Sequence, residues 1–143
     1  MSRIPRHLEH LRTGFTAEAV SAASYRAFAE RADAAGKPNL GERWRALAAE
    51  KDRLAIDLLA AAGKVESEAG NLRDAIADEL YENEVLYPRL IADMEHLGHG
   101  DEAALLRRVV DVQKRHRAAL DDLRRELTAS THDVRGGAVA KAG

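Results

Sequence analysis

Two glutamates lie on a helix face whose other residues are apolar, and this feature most limits how the chain can fold. An apolar stripe with the three- and four-residue spacing of a buried helix face contains Leu72, Ile76, Leu86 and Leu90. Glu79 and Glu82 fall on the same stripe, between Ile76 and Leu86. Because an ionised carboxylate taken out of water without a partner costs several kcal/mol, the fold must bring compensating groups to both glutamates.

The composition predicts a single all-α domain. The 143 residues are rich in alanine, leucine, arginine and glutamate and poor in β-branched and aromatic residues. A net charge of −2, from 22 basic and 24 acidic residues, gives no electrostatic reason to expect nucleic acid or an anionic membrane as a partner. The chain has no cysteine, which excludes disulfides and thiolate ligands. With no apolar export or membrane-spanning segment, we expect a cytoplasmic protein.

Four helix-length segments predict a four-helix bundle over residues 1–128, followed by a disordered tail over 129–143. The first two predicted helices cover about 7–35 and 40–62, and a polar link follows at 63–71. The third extends to the break at Gly98-His99-Gly100, with a bend at Pro88, which lacks a backbone donor. Asp101 is the predicted N-cap of the fourth.

Each predicted helix carries polar residues near its middle, on its apolar stripe. They are Glu18, Glu50, Glu79 with Glu82, and Gln113 with His116. Antiparallel packing superimposes helix centres, so these residues are expected to meet in one layer. Four buried carboxylates need cations or bound protons, and carboxylates with an imidazole suit iron or manganese, with zinc as an alternative. The predicted metal ligands are Glu18, Glu50, Glu79, Glu82 and His116.

A metal-free layer is the alternative interpretation. Arg53, three residues after Glu50, would pair with the core glutamates, and Gln113 and His116 would supply hydrogen bonds. The protein would then be a non-catalytic helical dimer that serves as an interaction module.

Several of these residues carry a resemblance to the ferritin-like domain of the rubrerythrin family, over most of residues 11–127. The stretch Glu79-Leu80-Tyr81-Glu82, ending in Tyr87-Pro88, resembles that family's third-helix motif, and Glu18 with Tyr25 resembles its first helix. The resemblance implies a ferritin-like bundle with two iron ions that reduces peroxide or oxidises iron(II). A third interpretation is a protein that activates oxygen for reaction with a small organic substrate.

The sequence departs from the family at both of its E-x-x-H motifs. Arg53 stands in place of the first histidine, and Gln113 in place of the second glutamate. A guanidinium cannot ligate a metal ion and repels a nearby cation. In the family the positions of Arg53 and Glu82 are alternative ligands of one iron, an exchange that an ion pair between them would abolish. These departures favour a single metal ion or an atypical pair.

The length of the polar link bears on assembly. A helix of about 23 residues is roughly 35 Å long, whereas the nine residues 63–71 reach at most about 30 Å when extended. The ferritin-type crossover therefore predicts a swapped homodimer, in which the first two helices of one chain pack with the last two of another. The alternative is an up-down-up-down monomer.

Overall fold

The structure, a computed structural model, describes residues 4–130 and 132–136, in which the regular secondary structure is helical. The elements are α1 (Arg6–Ala34), α2 (Pro38–Ala61), α3 (Glu68–Tyr81), a π-helix (Glu82–Leu86), α4 (Tyr87–His96) and α5 (Gly100–Ala129). The all-α prediction is confirmed. Of the tail predicted to be disordered, residues 131 and 137–143 lie outside the described part of the chain. No helix in the described part has the length and apolar character needed to cross a membrane.

The chain divides into two compact units, residues 1–65 and 66–143. In the first, α1 packs against α2, and we call this pair hairpin I. In the second, α3, the π-helix and α4 all pack against α5, and we call this group hairpin II. The joining of residues 1–128 into one ferritin-like bundle stays a prediction.

Small residues allow α1 and α2 to approach each other closely. The buried positions of hairpin I are Ala22, Ala29 and Ala32 on α1, and Gly41, Ala48, Ala55 and Ala62 in and just after α2. The buried residues of α2 recur every seven positions, so they form one seam along the helix. A Cβ atom at Gly41 would overlap the Asp33 carboxylate and lie 3.2 Å from the carbonyl oxygen of Ala29. Hairpin I therefore depends on the absence of bulk along this seam.

The leucine stripe of α2 lies to one side of the seam. At 100° per residue, Leu47 and Leu54 are roughly a quarter of a turn away from Ala48 and Ala55, and they are 46% and 50% exposed. The stripe predicted to face inward includes Trp44, Leu47, Leu54 and Leu58, and it packs on α1 only in part. The Trp44 ring lies against Tyr25 and Phe28 and Leu58 lies beside Gly14, whereas Leu47 and Leu54 stay half-exposed.

Glycines and one serine set the boundaries of the helices. Gly63 and Gly98 adopt positive φ angles of 72° and 81° just after α2 and α4, a conformation that glycine adopts without a steric penalty. Ser67 caps α3 by accepting a hydrogen bond from the amide of Gly70 at 3.2 Å. Because α3 begins at Glu68, the link after α2 comprises only 62–67 and is shorter than predicted.

The predicted N-cap of the last helix is wrong by two residues. His99 occupies the N-cap position of α5, and its side chain makes no capping hydrogen bond. Asp101 lies in the first turn instead, where its negative charge interacts favourably with the helix dipole.

Pro88 follows the π-helix, a local structure that the predicted bend at Pro88 did not include. The amide of Tyr87 donates to the carbonyl of Glu82, five residues earlier. A proline ring in a regular helix clashes with the carbonyl four residues before it and offers no N–H. The wider π turn relieves this conflict, and the helical path continues into α4.

Candidate metal centre

Hairpin II brings together four of the polar residues singled out in the sequence. Glu79 and Glu82 come from the junction of α3 with the π-helix, and Gln113 and His116 come from α5. The Nδ1 atom of His116 lies 3.3 Å from Oε1 of Glu79, and the amide nitrogen of Gln113 donates to Oε2 of Glu82. Two glutamates of α3 thus each meet one polar residue of α5.

Two buried oxygens of this group have no hydrogen-bond partner in the described part of the chain. They are Oε2 of Glu79 and Oε1 of Gln113. Gln113 as a whole is only 8% exposed, and leaving a buried acceptor unsatisfied costs about 1–3 kcal/mol. Both residues line an open groove of about 430 Å³, together with Arg108, Val109, Val112 and His116. A water molecule, a further donor or a cation at the groove would satisfy these oxygens.

Asn83 holds the backbone of Glu79 in place. It is 6% exposed, and its amide nitrogen donates to the carbonyl oxygen of Glu79 at 2.7 Å. A π-helix shifts the backbone hydrogen-bond register, and the Asn83 side chain supplies a donor to a carbonyl at the point where the shift begins. The position of the Glu79 carboxylate therefore depends on the π-helix and on Asn83.

Hairpin I contains the other two predicted ligands, and only one of them is in a polar contact. Oε2 of Glu18 lies 2.7 Å from Nζ of Lys51, and both side chains are mostly buried, with 23% and 30% exposed. The hydrogen bond with Glu18, reinforced by the charge of that carboxylate, raises the pKa of Lys51 above its ordinary value. Glu50 is exposed.

Arg53 forms an ion pair within its own helix. Its Nε and Nη2 atoms donate to Oδ1 of Asp57 at 3.1 and 2.7 Å, and both side chains are more than 60% exposed. The predicted pairing of Arg53 with Glu50 is not formed in hairpin I. Asp57, one turn further along α2, is its partner because side chains four residues apart share a helix face.

The donors of hairpin II fit one metal ion better than two. Two ligands of a single ion, each about 2.1 Å from it, lie roughly 3 Å apart at a right angle, close to the 3.3 Å between His116 and Glu79. The free oxygen of Gln113 adds a neutral oxygen donor. No group of three or more histidines, cysteines, aspartates and glutamates positioned for a metal ion occurs within the described residues. Histidines and carboxylates of the described residues alone therefore form neither a two-metal cluster nor a three-ligand site as they stand, and a single ion would need the Gln113 oxygen as a further ligand.

Lys51 and Asn83 were missed by the sequence analysis, although each leaves a signal. Lys51 is three residues after Ala48 and four before Ala55, so the alanine seam predicts that it faces α1. Asn83 lies five residues before Pro88. In a π turn the backbone N–H that a proline lacks would have bonded to the carbonyl of the residue five positions earlier.

A comparison of the sequence with protein-family models and with curated proteins gives no match. The assignment of a function therefore depends on the residues and their geometry.

Proposed function

We propose that the protein is a rubrerythrin-like metal-binding protein that takes iron or manganese, with zinc as an alternative. The site is the face of hairpin II that carries Glu79, Glu82 and His116. The observation that supports it best is the pair of buried acceptors without partners, Oε2 of Glu79 and Oε1 of Gln113, beside an imidazole nitrogen. A cation satisfies such oxygens and balances the two carboxylates.

The resemblance to the rubrerythrin family supports redox chemistry with peroxide or oxygen as the reaction class. Iron or manganese would supply the electron transfer that no side chain of this site can provide. The residues of the chain bind and orient: Glu79 and His116 hold the ion, and Glu82 fixes the amide of Gln113. In a single copy of the chain the groove is open and the His116 side chain is 55% exposed.

We propose further that two copies of the chain complete a ferritin-like bundle, with hairpin I of one copy packed on hairpin II of the other. The six residues 62–67 between α2 and α3 reach at most about 22 Å. The 24 residues of α2 extend over about 36 Å, so this link is too short for a return along the helix. The half-exposed leucines Leu47 and Leu54 would contribute part of the apolar area of such a contact.

Elemental analysis of protein purified without chelator tests the proposal. We expect tightly bound iron or manganese, a melting temperature that falls in chelator, and an absorbance change of the iron form on addition of peroxide. Metal-free protein that binds neither ion on reconstitution would exclude the proposal. Light scattering that gives a strict monomer at micromolar concentration would exclude the two-copy bundle alone.

A metal-free interaction module is the second candidate, and one specific observation favours it. The contacts of Glu18 with Lys51 and of Glu82 with Gln113 already give two of the four carboxylates a protein partner. If protonated, His116 would do the same for Glu79. In that case chelator leaves the melting temperature unchanged, and replacing Lys51 lowers it more than replacing His116.

A further inference from the structure

The polar residues of the two hairpins differ in whether their charge is already balanced. In hairpin I the Glu18 carboxylate has an ammonium at 2.7 Å. In hairpin II three buried side-chain oxygens have no hydrogen-bond partner in the described residues, and two of them belong to Glu79 and Gln113, which line one groove. This difference limits the number of metal ions that the chain can hold.

We propose that the protein binds one divalent cation per chain, with the side-chain oxygen of Gln113 as a ligand beside Glu79 and His116, while Lys51 keeps Glu18 from acting as a ligand. The inference rests on the proposed metal-binding function and deepens it by naming the stoichiometry and an amide ligand.

The orientation of Gln113 supports its role. Its amide nitrogen is committed to the carboxylate of Glu82, and reversing the amide would put the carbonyl oxygen against that carboxylate, where like partial charges repel. The carbonyl oxygen must therefore point away from Glu82. It is buried, unpartnered and lines the same groove as Glu79 and His116, and amide carbonyls are common ligands of hard divalent cations.

The charges at the site favour a single divalent ion. Glu79 and Glu82 bring two negative charges, and Arg108 in the same groove brings one positive charge. A ligating His116 is neutral, so one divalent cation already outweighs the carboxylates of hairpin II. Glu18 and Lys51 cancel each other in hairpin I. A second divalent cation bound in hairpin I would have to displace the Lys51 ammonium from Glu18, and Glu50, the other predicted ligand of that hairpin, is exposed to water.

Binding of Mn²⁺ to the full-length protein tests the inference. The number of bound ions is counted by elemental analysis after desalting, and the affinity is measured by calorimetry. We expect one Mn²⁺ per chain, a loss of affinity of about tenfold or more in Gln113→Leu, and a change of no more than about twofold in Glu18→Gln. Circular dichroism and thermal unfolding in chelator check that each variant folds, and Glu84→Gln, an exposed carboxylate on the π-helix, is the matched control.

A second substitution covers the case in which Gln113→Leu does not fold. Gln113→Glu keeps the length of the side chain and adds a charge, so Mn²⁺ should bind more tightly than to the wild type. Two Mn²⁺ ions per wild-type chain, or a tenfold loss in Glu18→Gln, would overturn the inference while leaving metal binding intact. No binding of Mn²⁺, iron(II) or Zn²⁺ to the wild type would overturn the proposed function and the inference together.

Discussion

Hairpin I and hairpin II are both helical and similar in size, but they use their buried positions differently. The buried positions of hairpin I are alanines and a glycine along a regular seam, and its Glu18 carboxylate has a lysine partner. The buried positions of hairpin II include Asn83 and Gln113, and three of its buried side-chain oxygens, Oε2 of Glu79, Oδ1 of Asn83 and Oε1 of Gln113, have no hydrogen-bond partner in the described chain. Hairpin I is regular and pairs its buried carboxylate with a lysine, whereas hairpin II breaks helix regularity and leaves several acceptors open.

This contrast distinguishes hairpin I, a structural scaffold, from hairpin II, which carries the proposed site. A local conflict, such as an unsatisfied acceptor or a π turn, persists only where the surrounding structure supports it, and such conflicts concentrate at functional positions. In hairpin II the π-helix, Asn83 and the free oxygen of Gln113 occur within a few residues of Glu79. In hairpin I the buried small residues serve close contact between α1 and α2.

The largest effect expected to distinguish the two hairpins is a change in metal affinity on substitution in hairpin II. Glu79→Gln replaces a charged oxygen beside His116 with a neutral amide, so we expect Mn²⁺ affinity to fall about 100-fold. Glu84→Gln removes an exposed carboxylate five residues along the chain, 3.5 Å from Arg117, and should change affinity no more than about twofold. Calorimetry measures both, and equal losses in the two variants would contradict the assigned site.

Bulk on the alanine seam should destabilise hairpin I. Ala48 is 2% exposed, so Ala48→Leu forces α1 and α2 apart, and we expect a loss of about 1–3 kcal/mol in the free energy of unfolding. Urea denaturation followed by circular dichroism measures the change. Ala49→Leu, at an exposed position of the same helix, is the control and should change stability by no more than about 0.5 kcal/mol. Equal effects would show that the seam is not close-packed.

A second test of the close contact between α1 and α2 replaces glycines and should give a smaller loss of stability. In Gly41→Ala the added Cβ overlaps the Asp33 carboxylate, which is itself bound to Arg45 at 2.7 Å. The gain in helix propensity, about 1 kcal/mol, offsets part of that cost, so we expect net destabilisation below that of Ala48→Leu. Gly100→Ala adds a Cβ that meets nothing within 4 Å and should be neutral or stabilising. Thermal unfolding that ranks the two variants in the opposite order would contradict the close approach.

The smallest expected effect is a fall in stability at high pH, caused by loss of the ion pair of Lys51 with Glu18 in hairpin I. Because the folded-state pKa of Lys51 is raised above 10.5, its pair with Glu18 contributes fully below that pH and is lost as pH rises through the raised pKa. The difference in melting temperature between the wild type and Lys51→Met should therefore be constant up to pH 10.5 and shrink above it. Lys64→Met, an exposed lysine in the link, should show no such trend. A difference that grows with pH would disprove the ion pair.

Helix content and most boundaries could be predicted because apolar periodicity and glycine breaks are local signals. Glu79, Glu82, Gln113 and His116 were identified because polar residues on an apolar stripe are conspicuous, and the structure brings them together in hairpin II. Periodicity alone does not distinguish between two faces of one helix. The most deeply buried positions of α2 are the alanines of the seam and not Leu47 or Leu54 of the leucine stripe, because small residues permit the closer contact with α1.

The partners of the charged residues could not be predicted in the same way. Arg53 has Asp57 one turn away, and Lys51, on the side of α2 that faces α1, pairs with Glu18. Long side chains choose among several acceptors within reach, and the choice depends on backbone separation to within an ångström or so. The π-helix was not predicted. Only a bend at Pro88 was expected, since a proline bend and a π turn leave the same sequence signal.

The π-helix also makes hairpin II unusually intolerant of deletion. Losing any one residue between Glu82 and Leu86 would let the path return to an ordinary helix, and everything after it would rotate by about 100° about the axis. Residues of α4 that now contact α5 would turn away from it, while Glu79 would lose the amide of Asn83 as its anchor. Among copies of this gene that stay functional, substitutions should accumulate in this turn long before a missing codon does.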